Sequence, residues 1–160
     1  MDYSENKKIT KEYLSEFLTR ARFLLTRTYK MVQEEKLFLD ILHLILEFYQ
    51  KYEKYLLQIM REEGIITKRE TLNKVDVRRI LIAKQEKIEK LLNKQFDLEF
   101  LFSQKSHLQE LLEAQKHGPA DFVRKKEYII CVENYKVEVI NEYCALQMLQ
   151  IAEKFWQLLS

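Results

Sequence analysis

Apolar residues recur along most of this chain at steps of three and four. Between about residues 8 and 34 they fall at Leu14, Phe17, Leu18, Ala21, Leu24, Leu25 and Val32, a stripe along one side of a helix. Thr10 is the candidate N-cap, with Ser4 competing. A second helix is expected from about 36 to 63, with Phe38, Leu42, Ile45, Tyr49, Tyr52, Leu56 and Ile59 on one face and Gly64 beyond its end, where a glycine closes helices. The intervening QEEK holds no breaker. One continuous helix fits the pattern, but its length without support favours an antiparallel pair. The helical period resumes near Leu72 and runs to about Gln115. A single helix there would exceed about 60 Å at 1.5 Å per residue. NKQFD at 93–97 is the candidate break, because Asn and Asp compete for backbone hydrogen bonds. The pattern leaves open whether 72–115 forms one helix or two.

The period then changes. EYIICVENYKVEVI is rich in β-branched and aromatic residues, and Tyr135, Val137 and Val139 alternate with Lys136 and Glu138. This is the signature of a strand with one buried face. Tyr128 and Ile130 alternate with Ile129 and Cys131 on the preceding strand, so one of these pairs faces inward. Glu133 and Asn134 can make the reversal of a hairpin over about 126–140. Gly118 and Pro119 stop the helix before it, and Asp121 and Phe122 lead in. Asn141 is placed to cap a last helix over about 142–159, which presents Ala145, Met148, Leu149, Ala152, Phe155, Trp156 and Leu159. The expected fold is mainly α: an antiparallel bundle of four to five helices in a single domain, 1–160, with one short β-hairpin before the C-terminal helix.

Composition narrows the function classes. With 160 residues, 47% of them hydrophobic, and only two glycines and one proline, the chain suits long helices around a real core. A net charge of +2 gives no general case for nucleic acid, though it permits a local basic patch. The most apolar run, LFLDILHLILEFY, is interrupted by Asp40, His43 and Glu47, so no membrane span is expected. The N-terminal MDYSENKKITKEYL lacks the apolar core of a signal peptide. Cys131 and Cys144 form neither a metal-binding spacing nor a disulfide framework. A reduced, cytoplasmic setting follows as the expectation.

Few residue groups point to chemistry. Asp40, His43 and Glu47 stand at i, i+3 and i+7 on one stripe, a weak candidate for a divalent metal. Carboxylate-bridged two-metal bundles need a second such motif, and a solvated polar face explains the trio more simply. His107 reads as a half-buried helix residue, and His117 as a partner for terminal helix carbonyls. No glycine-rich phosphate loop, Gly-x-Ser-x-Gly or Cys-x-x-Cys occurs, so no catalytic residue and no cofactor is expected. Basic residues gather at Arg20, Arg22 and Arg27; at Lys68, Arg69, Lys74, Arg78 and Arg79; and at Arg124, Lys125 and Lys126. Of these, Lys68, Arg69, Arg78, Arg79 and Arg124 to Lys126 are the candidate anion or nucleic-acid contacts.

YLSEFLTRARFLL, followed by LFLDILHLILEFYQKYEKYLLQIMREEG and closed by LQMLQIAEKFWQLL, resembles the HEPN superfamily of small helical bundles in layout. The resemblance covers about half of the chain. It implies paired long helices and a bundle fold, and many HEPN proteins are ribonucleases that use an Arg-x4–6-His motif. No arginine precedes His43, His107 or His117 at that spacing, so the resemblance implies a non-catalytic or distant member. DFVRKKEYIICVENYKVEVI lies outside the HEPN pattern and is similar to the endings of small archaeal helical proteins. The expected function is a non-enzymatic interaction module, binding a protein or a second copy of itself. The alternatives are an RNA- or nucleotide-binding HEPN-like protein, a divergent ribonuclease of that kind, and a metal-dependent hydrolase.

Overall fold

The structure, a computed structural model, describes residues 8–66, 74–117, 121–131 and 137–159. It is mainly helical, with a small antiparallel sheet placed just before the C-terminal helix. Helix α1 (Lys11–Phe23) starts where Thr10 accepts a hydrogen bond from the Tyr13 amide at 3.1 Å, so Thr10 is the cap. It runs without interruption into a π-helical segment (Leu24–Thr28) and a short α2 (Tyr29–Val32). The π turn holds one residue more than an α turn and rotates the following face by about 100°. Tyr29 is thereby buried, while Val32, expected on the apolar stripe, is 56% exposed.

Gln33 ends this rod in the left-handed conformation (φ 54°) without a glycine. The chain then doubles back into α3 (Leu37–Glu62), which packs antiparallel on α1. At about 39 Å, α3 is the longest element and the centre of the core. Its buried surface is wider than one stripe, since Ile41, Leu44, Phe48, Leu57 and Met60 join the expected residues and Ile59 is half-buried. The reason is that α3 is packed on several sides, by α1, α4, α6 and α7. It ends in a Schellman motif: the Gly64 amide (φ 72°) donates to the Arg61 carbonyl and the Ile65 amide to that of Met60.

The segment from 74 to 117 is broken into α4 (Lys74–Ala83), α5 (Gln85–Leu92) and α6 (Leu98–His117). Asn93 (φ 53°) performs the glycine role at the end of α5, with the Lys94 amide donating to the Glu89 carbonyl. Asp97 then opens α6 by accepting from the Phe100 amide at 3.0 Å. The break expected at 93–97 thus lies there, where two side chains able to mimic backbone partners surround it, and a second one, at Lys84, separates α4 from α5.

The sheet has three strands in the order β1 (Asp121–Arg124), β2 (Glu127–Cys131), β3 (Val137–Ile140), all antiparallel. β1 adds an edge strand where the sequence suggested only a lead-in. Tyr128 and Ile130 point into the core and β2 packs on α6. The register pairs Tyr128 with Ile140, so Ile140 enters the core. Val137, expected on the buried side, is exposed and Val139 is half-buried. The reversal expected at Glu133 and Asn134 lies outside the described residues, as do Gly118 and Pro119. Between β1 and β2 the pairing of Arg124 with Glu127 leaves Lys125 and Lys126 as a two-residue turn. Both have positive φ, 46° and 65°, the pattern of a type I′ turn. That conformation costs on the order of 1–2 kcal/mol for a residue carrying a Cβ.

Asn141 caps the last helix, α7 (Glu142–Gln157), by accepting from the Cys144 amide at 2.8 Å. α7 runs antiparallel to α1 and is tied along its length. The Trp156 indole donates to the Lys11 carbonyl at 2.8 Å, Arg22 pairs with Glu153, and Lys30 pairs with Glu142 at 2.5 Å. Between α3, α7 and the turn before α6, the rings of Phe48, Tyr49, Tyr52, Phe96 and Phe155 form one aromatic cluster with centroids 5.4–6.2 Å apart.

Candidate functional site

Residues of α3 at i, i+4, i+7 and i+11 share a stripe, and Gln50, Lys54, Leu57 and Arg61 occupy such positions. With Lys51 and Glu53 beside them, they meet Val77 of α4 and Lys105 of α6 in a groove of about 390 Å³. Among the described residues, four basic side chains and one carboxylate line it. The carboxylate is already engaged: Glu53 accepts from the Lys105 ammonium at 2.8 Å, and both side chains are only 13–14% exposed. Lys51 and Lys54 thus line a groove in which, among the described residues, the one lining acid is already paired.

Sequence inspection does not find this groove. Lys51 and Lys54 are scattered among acids in the linear chain, and Lys105 lies on another helix more than 50 residues away. The visible signal was the i, i+3, i+10 spacing of Lys51, Lys54 and Arg61, which sets three cations along one side of α3.

The residues that the sequence singled out are distributed differently. Asp40, His43 and Glu47 are all exposed on α3. Among the described residues no three His, Cys, Asp or Glu side chains come together as a metal site. Arg78 and Arg79 are exposed on α4, with the Arg78 guanidinium 5.1 Å above the Phe102 ring, a cation–π arrangement. Lys68 and Arg69 lie outside the described residues. Arg124, Lys125 and Lys126 are exposed at the end of the β1–β2 hairpin. His107 is half-buried, and His117 is the last residue of α6.

Arg22 of α1 and Arg27 of the π segment border a second groove, of about 540 Å³, between α1, the π segment and α7. Leu18, Phe23 and Trp156 supply its apolar surface, and Arg22, Arg27 and Glu153 its charge. The hydrogen bond to Glu153 holds the pKa of Arg22 above its ordinary value, so that pair is a fixed tie and not a free cation. Inside the aromatic cluster, burial raises the pKa of Tyr49 and Tyr52 well above the usual tyrosine range. The Tyr52 hydroxyl donates to the Phe155 carbonyl at 2.6 Å. The equally buried Tyr49 hydroxyl has no hydrogen-bond partner among the described residues. Neither phenol reaches solvent, so both are structural. No helix among the described residues is long and apolar enough to cross a membrane. Comparison with protein-family models, with curated proteins and with solved structures returns no match in any of the three.

Proposed function

We propose that this chain is a non-enzymatic binding module for an RNA- or nucleotide-type ligand, which it recognises through phosphate at the α3–α4–α6 groove. The supporting observation is the charge of that groove: among the described residues Lys51 and Lys54 line it beside a single carboxylate, Glu53, that is already paired with Lys105. Lysines act on phosphate as point charges, and contact with a polyanion releases its counterions. The reading keeps the HEPN-like layout as a proposal, resting on the antiparallel α1–α3 pair with α7 laid across it. It also places the protein in a reducing, cytoplasmic compartment, in keeping with Cys131 and Cys144 as free thiols.

The test is fluorescence anisotropy of a labelled single-stranded RNA oligonucleotide, with ATP as competitor, over a salt series. Binding that weakens steeply with salt, and is lost in Lys51→Glu/Lys54→Glu, supports the proposal. Absent binding at low salt, or binding insensitive to salt, overturns it.

A second reading, a protein partner or self-association, is favoured by a different observation. Phe23, Met31 and Val32 are 59%, 84% and 56% exposed on the continuous rod from α1 to α2, and exposed apolar groups of this kind mark association surfaces. Sedimentation equilibrium decides it: a strict monomer that Phe23→Ser/Met31→Ser leaves unchanged removes the self-association version.

A further inference from the structure

Two-residue hairpin turns with both central residues at positive φ are ordinarily made by Asn-Gly or Asp-Gly, because glycine and asparagine enter that region at little cost. Here the positions belong to Lys125 (φ 46°) and Lys126 (φ 65°), directly after Arg124. All three side chains are exposed, and none has an ion-pair partner among the described residues. The turn thus carries the residue type that suits it poorly, in duplicate, at the point of the sheet farthest along β1 and β2. Backbone strain retained at an exposed, charged site points to use of the side chains and not to packing.

We propose that Arg124, Lys125 and Lys126 form a cationic finger that contacts the phosphate backbone of a nucleic-acid strand. The shape of the site selects this class of partner. A convex turn cannot enclose a small anion, so its partner must present phosphates over an extended surface. A finger that enters a lipid bilayer carries large apolar or aromatic residues at its end; this one carries three cations in a row. Backbone contacts of this kind set affinity without reading sequence. The inference rests on the nucleic-acid reading of the groove only for the class of ligand, since the two sites share no residue.

The experiment replaces Lys125→Asn and Lys126→Gly together, which supplies the turn with its preferred residues. The variant is expected to melt about 3–6 °C higher than the parent. It is also expected to bind a labelled single-stranded RNA about tenfold more weakly at low salt, with the slope of log K against log salt reduced by about 1.4 for the two lost contacts. A protein more stable and less able to bind is the outcome that a merely structural turn does not give. Unchanged RNA affinity overturns the finger, also where the variant aggregates because the lysines only protect the β1 edge. So does binding to anionic lipid vesicles that falls while RNA affinity stays constant. Run beside Lys51→Glu/Lys54→Glu, the experiment separates the two proposals. Loss only in the groove variant sinks the finger, loss only in the turn variant sinks the groove, and a wild-type chain that does not bind sinks both.

Discussion

The α1–α3–α7 layer and the α6–sheet layer are held by different means. In the first, segments far apart in sequence are tied by directed polar contacts laid over a wide apolar surface. Gln58 holds both backbone groups of Ile9 at 2.9 Å, Tyr52 reaches the Phe155 carbonyl, and Trp156 reaches the Lys11 carbonyl. In the second, Tyr128, Ile130 and Ile140 supply apolar packing, and strand register does the rest. Lys105 of α6 is paired with Glu53 of α3, while the cations of the sheet hairpin lie on the surface, two of them in a turn that suits them poorly. The difference teaches where each task resides. The helical layer concentrates stability, while the second layer and its border with α3 carry the charge that a ligand would use.

The sharpest way to break this contrast is truncation. Phe155 packs against Tyr49, Tyr52, Phe96 and Phe100, so Phe155→Ala is expected to cost about 4 kcal/mol in urea unfolding. Ile130→Ala in the sheet is expected to cost about 2–3 kcal/mol. The reverse order would show that the sheet, and not the aromatic cluster, is the centre of stability.

Two tyrosines one turn apart refine the same point. Tyr52→Phe removes a buried hydrogen bond to the Phe155 carbonyl, which keeps its bond from the Leu158 amide, for an expected loss of about 1 kcal/mol. Tyr49→Phe removes a buried hydroxyl that has no partner among the described residues, so stability should stay level or rise by up to about 1 kcal/mol. Comparable losses at both positions would mean that the Tyr49 hydroxyl is satisfied in solution.

Alkaline pH probes the cluster as a whole. Burial raises the pKa of both phenols above the ordinary 10.0, so the folded state favours their neutral form. Their contribution is complete below that pH and falls as pH rises beyond it, because the unfolded chain then releases protons that the folded chain retains. Part of the tyrosinate absorbance should therefore appear only together with the loss of helical circular dichroism. Full titration near pH 10 with the helices intact would contradict the burial. The smallest effect is expected on the exposed stripe of α3: His43→Ala should change stability by no more than about 0.5 kcal/mol.

Much of the helical layer was legible in the chain. Thr10 and Asn141 act as caps, Gly64 closes α3, and the apolar spacing of α3 and α7 marks their buried faces, because these are local rules acting within a few residues. Val32 and Val137 show the limit. Each sits on the apolar side of a regular pattern, and each is exposed. A π turn rotated the first, and the pairing of Tyr128 with Ile140 chose the opposite side of β3 for the core. Neither event leaves a mark in a single segment. The metal candidate at Asp40, His43 and Glu47 had spacing but no second element to complete a ligand set.

The sequence by itself determined the mainly helical class, the helix boundaries at Thr10, Gly64, Asn93–Asp97 and Asn141, and the β2 and β3 strands before the last helix, since capping, breaking and periodicity are encoded within a few residues. Only the tertiary structure decided that Lys51, Lys54, Arg61 and Lys105 share a groove, and that Lys125 and Lys126 occupy a left-handed turn. A groove is made by the packing of helices whose contacts lie tens of residues apart. A turn's geometry is imposed by the register of the strands it joins, and that register is set by which side chains the core accepts.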